Sequence, residues 1–196
     1  IRPPKKQEMP EKRLLVYGSS ITHGGNASVP SGTYAFRLAR KLGYDLINLG
    51  CAGSCQMDEA MASYIGSRDD WDMALFELGI NVIETWDGDR LYGKALAFLA
   101  AVLEARPYQQ VFVTDMYYNR YDFEGDKRAA RFRGAIQRCA AVLSGQYGGR
   151  LHYINGLEAM DTPQGLSSDG LHPSDLGHGM IAERLAGYMA EKKEVN

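Results

Sequence analysis

Ser19 and Ser20 stand where the apolar run Leu14-Leu15-Val16-Tyr17 stops at Gly18, and Asp169 and His172 lie three residues apart near the other end of the chain. An imidazole can take a hydroxyl proton near neutral pH. A carboxylate on its other nitrogen fixes the tautomer and steadies the imidazolium. One serine of the pair therefore reads as a nucleophile, with His172 as its base and Asp169 as the group that orients the base. Carrying both partners in Ser168-Asp169-Gly170-Leu171-His172-Pro173 lets one loop preorganise them, and Pro173 stiffens it before a helix expected from about Ser174. A lone serine at such a junction would serve only the turn. It is the distant histidine and aspartate that give it chemistry.

A nucleophile of this kind attacks a carbonyl, and the oxyanion that forms needs donors worth roughly 3 to 4 kcal/mol each. Two further segments offer them. In Asn48-Leu49-Gly50-Cys51-Ala52-Gly53-Ser54, Gly53 can present a bare backbone N–H, while Gly50 reads as turn punctuation. In Gly79-Ile80-Asn81 the Asn81 amide can project as a donor, with a helix cap as its plainer role.

These residues need a scaffold that brings distant segments to one rim. Apolar runs rich in β-branched and aromatic residues at 14–17, 45–49, 73–78, 110–115 and 151–155 read as buried parallel strands. Between them Tyr92, Leu96, Leu99 and Leu103, then Phe132, Ile136, Ala140 and Leu143, and finally Leu176, Met180 and Leu185 follow the helical period. Alternating strands and helices imply right-handed crossovers, hence an α/β fold: a three-layer α/β/α sandwich on a flavodoxin-like five-stranded parallel sheet of order 2-1-3-4-5. Ligands bind such sheets at the carboxyl ends of the strands, where the candidate residues fall. Residues 1–12, with Pro3, Pro4 and Pro10 among charges, read as a linker or extension, and 13–192 as one hydrolase domain.

Taken together, Gly18-Ser19-Ser20-Ile21-Thr22, Gly53, Gly79-Ile80-Asn81 and Asp169-Gly170-Leu171-His172 resemble, in order and over nearly the whole chain, the four blocks of the SGNH hydrolases, also called GDSL esterases. The resemblance implies metal-independent ester hydrolysis without a cofactor. It makes Ser20 the nucleophile and its N–H, the Gly53 N–H and the Asn81 side chain the oxyanion hole, with His172 as base and Asp169 as orienter. Two positions depart from the family pattern, which has aspartate at both: Ser19 in the GDS block and Val82 in the GxND block. Neither supplies a triad or oxyanion group. Ser19 can still bond turn amides, whereas Val82 removes a polar contact.

Composition narrows the rest. Lys plus Arg number 22 against 24 Asp plus Glu, so a net charge of -2 gives no reason to expect nucleic acid as a partner. The cluster Lys127, Arg128, Arg131 and Arg133 reads as a solvated helix face. No apolar run reaches the roughly 20 residues of a membrane span. Three cysteines cannot all pair, so reduced thiols and a cytoplasmic setting are expected, with Cys51 and Cys139 as small core residues and Cys55 structural. A start at Ile1 reads as a processed or trimmed N-terminus, which leaves secretion open. His178 with Asp175 lacks a metal-ligand spacing, and Gly18 to Gly25 matches neither GxGxxG nor a phosphate loop with its lysine.

For the substrate, Tyr117 and Tyr118 after the fourth strand, Trp86 after the third and His23 after the nucleophile are the candidates to line the rim and stack on a sugar. No long apolar lid is visible in the sequence, which favours a small acyl group such as acetyl. The GSSIT form also resembles bacterial carbohydrate acetyl esterases, so the expected substrate is a small-molecule or saccharide ester. A lysophospholipase or thioesterase of the same family, and a non-catalytic carbohydrate-binding module, are the alternatives.

Overall fold

The computed structural model describes residues 2–193, so Ile1 lies outside the described residues. Its strands are β1 (Arg13–Gly18), β2 (Asp45–Gly50), β3 (Met73–Glu77), β4 (Gln110–Thr114) and β5 (Leu151–Ile154). They form one parallel sheet in the order β2-β1-β3-β4-β5, as the sequence pattern implies. Leu14 to Tyr17 of β1 and all of β3 are buried, because helices cover both faces of the sheet there, and that is why these runs are continuously apolar rather than alternating. Edge strand β2 is only partly covered.

The helices are α1 (Ser20–His23), α2 (Tyr34–Leu42), α3 (Glu59–Ser67), α4 (Gly88–Ala105), α5 (Arg120–Phe123), α6 (Lys127–Gln146), α7 (Gly156–Ala159) and α8 (Asp175–Lys193). Helix α2 packs on α8, while α4 packs on both α3 and α6, giving the two outer layers. Short polar side chains start most of them. Ser19, Thr33, Asp58, Asp87, Asn119, Asp126 and Asn155 each accept a backbone N–H of the helix they precede. No helix among the described residues is long and apolar enough to cross a membrane.

The core faces of two helices are turned from the expected ones. In α4 the buried residues are Leu91, Ala95, Phe98, Leu99, Val102 and Leu103, so Tyr92 and Leu96 flank the stripe instead of centring it. In α8 Ile181, Ala182, Leu185 and Met189 face the core together with His178, whereas Leu176 is exposed and Met180 half-exposed. A histidine and an alanine share the inner face, so the period of the large apolar residues alone misplaced it. Helix α6 carries its stripe as expected on Phe132, Ile136, Ala140 and Leu143.

Two residue assignments also change. Arg133 is buried rather than solvated: its guanidinium bonds both carboxylate oxygens of Asp122 and the carbonyls of Met116 and Tyr117, pinning the loop after β4 to α6. Cys51 is exposed where β2 ends, while Cys55 and Cys139 are buried, and all three are free thiols.

Candidate active site

Register brings the site together. In the sheet Gly18 pairs with Gly50, and Tyr17 with Phe76, so the ends of β1, β2 and β3 arrive side by side and their loops share one rim. Gly18 has to be glycine. A Cβ there would sit 2.3 Å from Thr22 Oγ1 and 2.7 Å from Glu77 Oε2, deep in the turn that presents Ser20.

Ser20 Oγ lies 2.7 Å from His172 Nε2, and His172 Nδ1 lies 2.7 Å from Asp169 Oδ2. An ionised carboxylate only accepts, so Nδ1 carries the proton and Nε2 keeps its lone pair for the serine hydroxyl. Asp169 is itself fully engaged. Its Oδ1 accepts from the N–H groups of Leu171 and His172 and from the Ser167 hydroxyl, and its Oδ2 also accepts from Asn26 Nδ2 at 2.9 Å. Partial burial pushes this carboxyl up, but the Leu171 and His172 amides, the imidazole and Ser167 together hold it well below the usual carboxylate range. It therefore stays ionised beside the His172 imidazole.

Asn81 Oδ1 accepts the Cys55 N–H at 3.0 Å, which fixes the amide's orientation and leaves Nδ2 as a donor. The residue lies inside the 3-10 turn Ile80–Val82, whose N-cap is Gly79, so it does not cap that turn. Gly53 adopts φ of 70, a left-handed conformation open to glycine at no steric cost, and its N–H has no partner among the described residues. Val82 is buried in the core, an apolar position with no use for a carboxylate.

The four rim candidates separate. His23 is exposed, with Nδ1 3.1 Å from the Gly50 carbonyl oxygen. Trp86 is half-buried, and the Arg90 guanidinium lies 4.6 Å from its ring centroid, so one aromatic face is already covered. Tyr118 is half-buried at the edge of the core. Tyr117 has to be withdrawn: it is 2% exposed, set edge-to-face against Tyr34, with its hydroxyl sealed from solvent. A Tyr-Tyr pair leaving a strand points to opposite sides, and the first of the two points inward.

Sequence reasoning missed three residues that hold this arrangement. Glu77, read as part of an apolar strand, is buried beneath the turn from Ser19 to Thr22. Asn26, at φ of 65, bridges Ser167 and Asp169. His178 accepts the Tyr34 N–H on Nδ1, and so donates from Nε2 to the Gly25 carbonyl, tying α8 to the loop behind His172. Asn26-Ala27-Ser28-Val29-Pro30 signals only a turn. Nothing local marks its distant partner.

The model of the GDSL-like lipase/acylhydrolase family matches residues 11–189. No curated protein sequence matches the chain. Among solved structures, the fold resembles that of a GDSL lipase-like protein from Bacteroides ovatus, with a TM-score of 0.81, 24% identity and coverage of 94% of this chain and 54% of that one. It resembles the salicylyl-acyltransferase of a tetracycline biosynthetic pathway, with a TM-score of 0.82, 23% identity and coverage of 94% and 56%. A family two carbohydrate esterase from Clostridium thermocellum, in complex with cellohexaose, aligns with a TM-score of 0.75, 16% identity and coverage of 98% and 67%. The chain thus spans a little over half the length of the first two.

Proposed function

The chain belongs to the GDSL-like lipase/acylhydrolase family, and from that premise we propose that it is a serine esterase that removes a small acyl group, acetyl above all, from a carbohydrate. The observation that carries this reading is the continuous relay from Ser20 Oγ through His172 to Asp169, each link 2.7 Å. His172 takes the Ser20 proton as Oγ attacks the ester carbonyl. The oxyanion is received by the Ser20 and Gly53 N–H groups and Asn81 Nδ2. Collapse expels the alcohol, protonated by His172, and leaves an acyl-enzyme; water then attacks with the same base and frees the acid. Residues 13–192 supply all of these groups, with 1–12 as an extension.

The rim shapes the alcohol side. The Arg120 N–H donates to the Gly170 carbonyl at 2.6 Å, and its guanidinium lies over the Tyr121 ring, beside Glu84 and Arg128. A wall of ion pairs next to the Asp169–His172 loop suits a hydroxyl-rich alcohol better than an acyl chain or a lipid surface. The carbohydrate esterases among the structural neighbours agree with that choice.

Hydrolysis of acetyl and octanoyl p-nitrophenyl esters, and release of acetate from acetylated sugars, tests the reading. Acetyl turnover at least about tenfold above octanoyl is expected, and Ser20→Ala should lose on the order of 10⁴-fold or more of kcat without loss of fold. A preference for octanoyl would move the assignment to the lysophospholipase or thioesterase reading, and full activity in Ser20→Ala would end it.

A further inference from the structure

Glu77 stands at the carboxyl end of β3, 1% exposed, directly behind the turn that carries Ser20. Its Oε2 accepts three hydrogens from that turn: the Ser19 N–H at 2.8 Å, the Ser19 hydroxyl at 2.7 Å and the Thr22 hydroxyl at 3.1 Å. Ser19 Oγ in turn accepts the Ile21 N–H at 3.1 Å. One carboxylate oxygen thus holds the residues on both sides of the nucleophile. The other, Oε1, is buried with no partner among the described residues.

A buried carboxylate with an idle oxygen is expensive, and a glutamine or a methionine would fill the same space. The groups around it bring no cation. Tyr34 from α2, Tyr117 after β4 and Cys55 after β2 all face Glu77, and burial pushes the ionisation of each upward, so all three stay neutral. His172 senses it as well. That imidazole becomes positive when it accepts the Ser20 proton.

We propose that Glu77 is the positioning residue of the nucleophile turn, clamping Ser19 and Thr22 around Ser20 and, in its ionised form, favouring the charge that develops on His172. The inference rests on Ser20 and His172 acting as proposed above. Burial drives the Glu77 carboxyl up to about 7, against the pull of the Ser19 and Thr22 bonds and of His172. It is therefore largely ionised only on the alkaline side of neutrality. The clamp also accounts for serine at position 19. An aspartate there would set a second carboxylate against Glu77, whereas the serine hydroxyl donates to it.

The test is Glu77→Gln, which keeps an accepting oxygen and removes the charge, measured as kcat, KM and pH profile on an acetyl ester. We expect kcat to fall about 10- to 100-fold with KM within about threefold, as for a nucleophile displaced by a fraction of an ångström. The acid limb of the kcat/KM profile should move to lower pH and become less steep, which a purely space-filling role would not produce. An unmoved acid limb in Glu77→Gln overturns the proposal. Should that variant fail to fold, Ser19→Ala decides: a kcat loss of about tenfold at constant KM supports the clamp, and wild-type kcat overturns it. Failure of the parent reading looks different, because wild type itself would then neither cleave esters nor lose activity on Ser20→Ala.

Discussion

Asn81 shows how much one side chain is asked to do. Its Oδ1 is occupied by the Cys55 N–H, so Nδ2 has a fixed direction before any substrate arrives, and preorganised donors are the ones that accelerate acyl transfer. Asn81→Ala should cost about 10²- to 10³-fold in kcat with little change in KM, measured on an acetyl ester. Asp169→Asn should cost more, on the order of 10³- to 10⁴-fold, because an amide at that position no longer enforces the Nδ1–H tautomer of His172. A loss shared equally with KM in either variant would point to substrate binding instead. These residues were legible because each belongs to a short motif with its own chemistry. Glu77 was not: it ends a run of buried apolar residues, and only its neighbours in space reveal that the carboxylate is used.

Helix α8 and the loop from Gly24 to Ser28 behave as a unit through one buried histidine. His178 joins the Gly25 carbonyl to the Tyr34 N–H, an otherwise orphaned donor in the first turn of α2, and the adjacent Asn26 reaches Asp169. His178→Ala should therefore lower stability by about 1 to 3 kcal/mol in denaturant unfolding, since the buried Tyr34 N–H and the part-buried Gly25 carbonyl lose a partner. It should lower kcat as well, through the Asn26 contact. Unchanged kcat with reduced stability would confine His178 to the fold. Burial depresses the His178 ionisation, so its contribution is present while the ring is neutral and is lost as pH falls and the ring charges. At this scale the sequence was a fair guide to strands, whose apolar runs ended within one residue of the observed bounds. It was a poorer guide to helix faces: the helical period of Leu176, Met180 and Leu185 put Leu176 inward, yet the inner face belongs to His178, Ile181, Ala182 and Leu185.

For the whole molecule, the order β2-β1-β3-β4-β5 was legible because central strands covered on both faces must be apolar throughout, and short strands alternating with helices permit few topologies. What the order alone cannot show is which polar groups the layers enclose. Glu77 and Asp115 are two such groups, and burial raises their carboxyls to about 7 and about 6. A raised carboxyl gives stability that is present below the ordinary carboxylate range and lost as pH rises through the folded value. Wild type should accordingly lose stability between about pH 5 and pH 8 relative to Glu77→Gln, by an amount on the order of 3 kcal/mol. Parallel curves for the two proteins in denaturant unfolding would show that the Glu77 carboxyl is not raised in the folded state. The central claim is that the loops after β1, β2 and β3 and the loop ahead of α8 converge to make Ser20 a nucleophile. Treatment with a fluorophosphonate, followed by mass spectrometry of the peptides, tests it most directly. One phosphonyl group on Ser20, absent in Ser20→Ala and strongly slowed in His172→Ala, is the predicted result, whereas an unmodified Ser20 or equal labelling of Ser19 would contradict it.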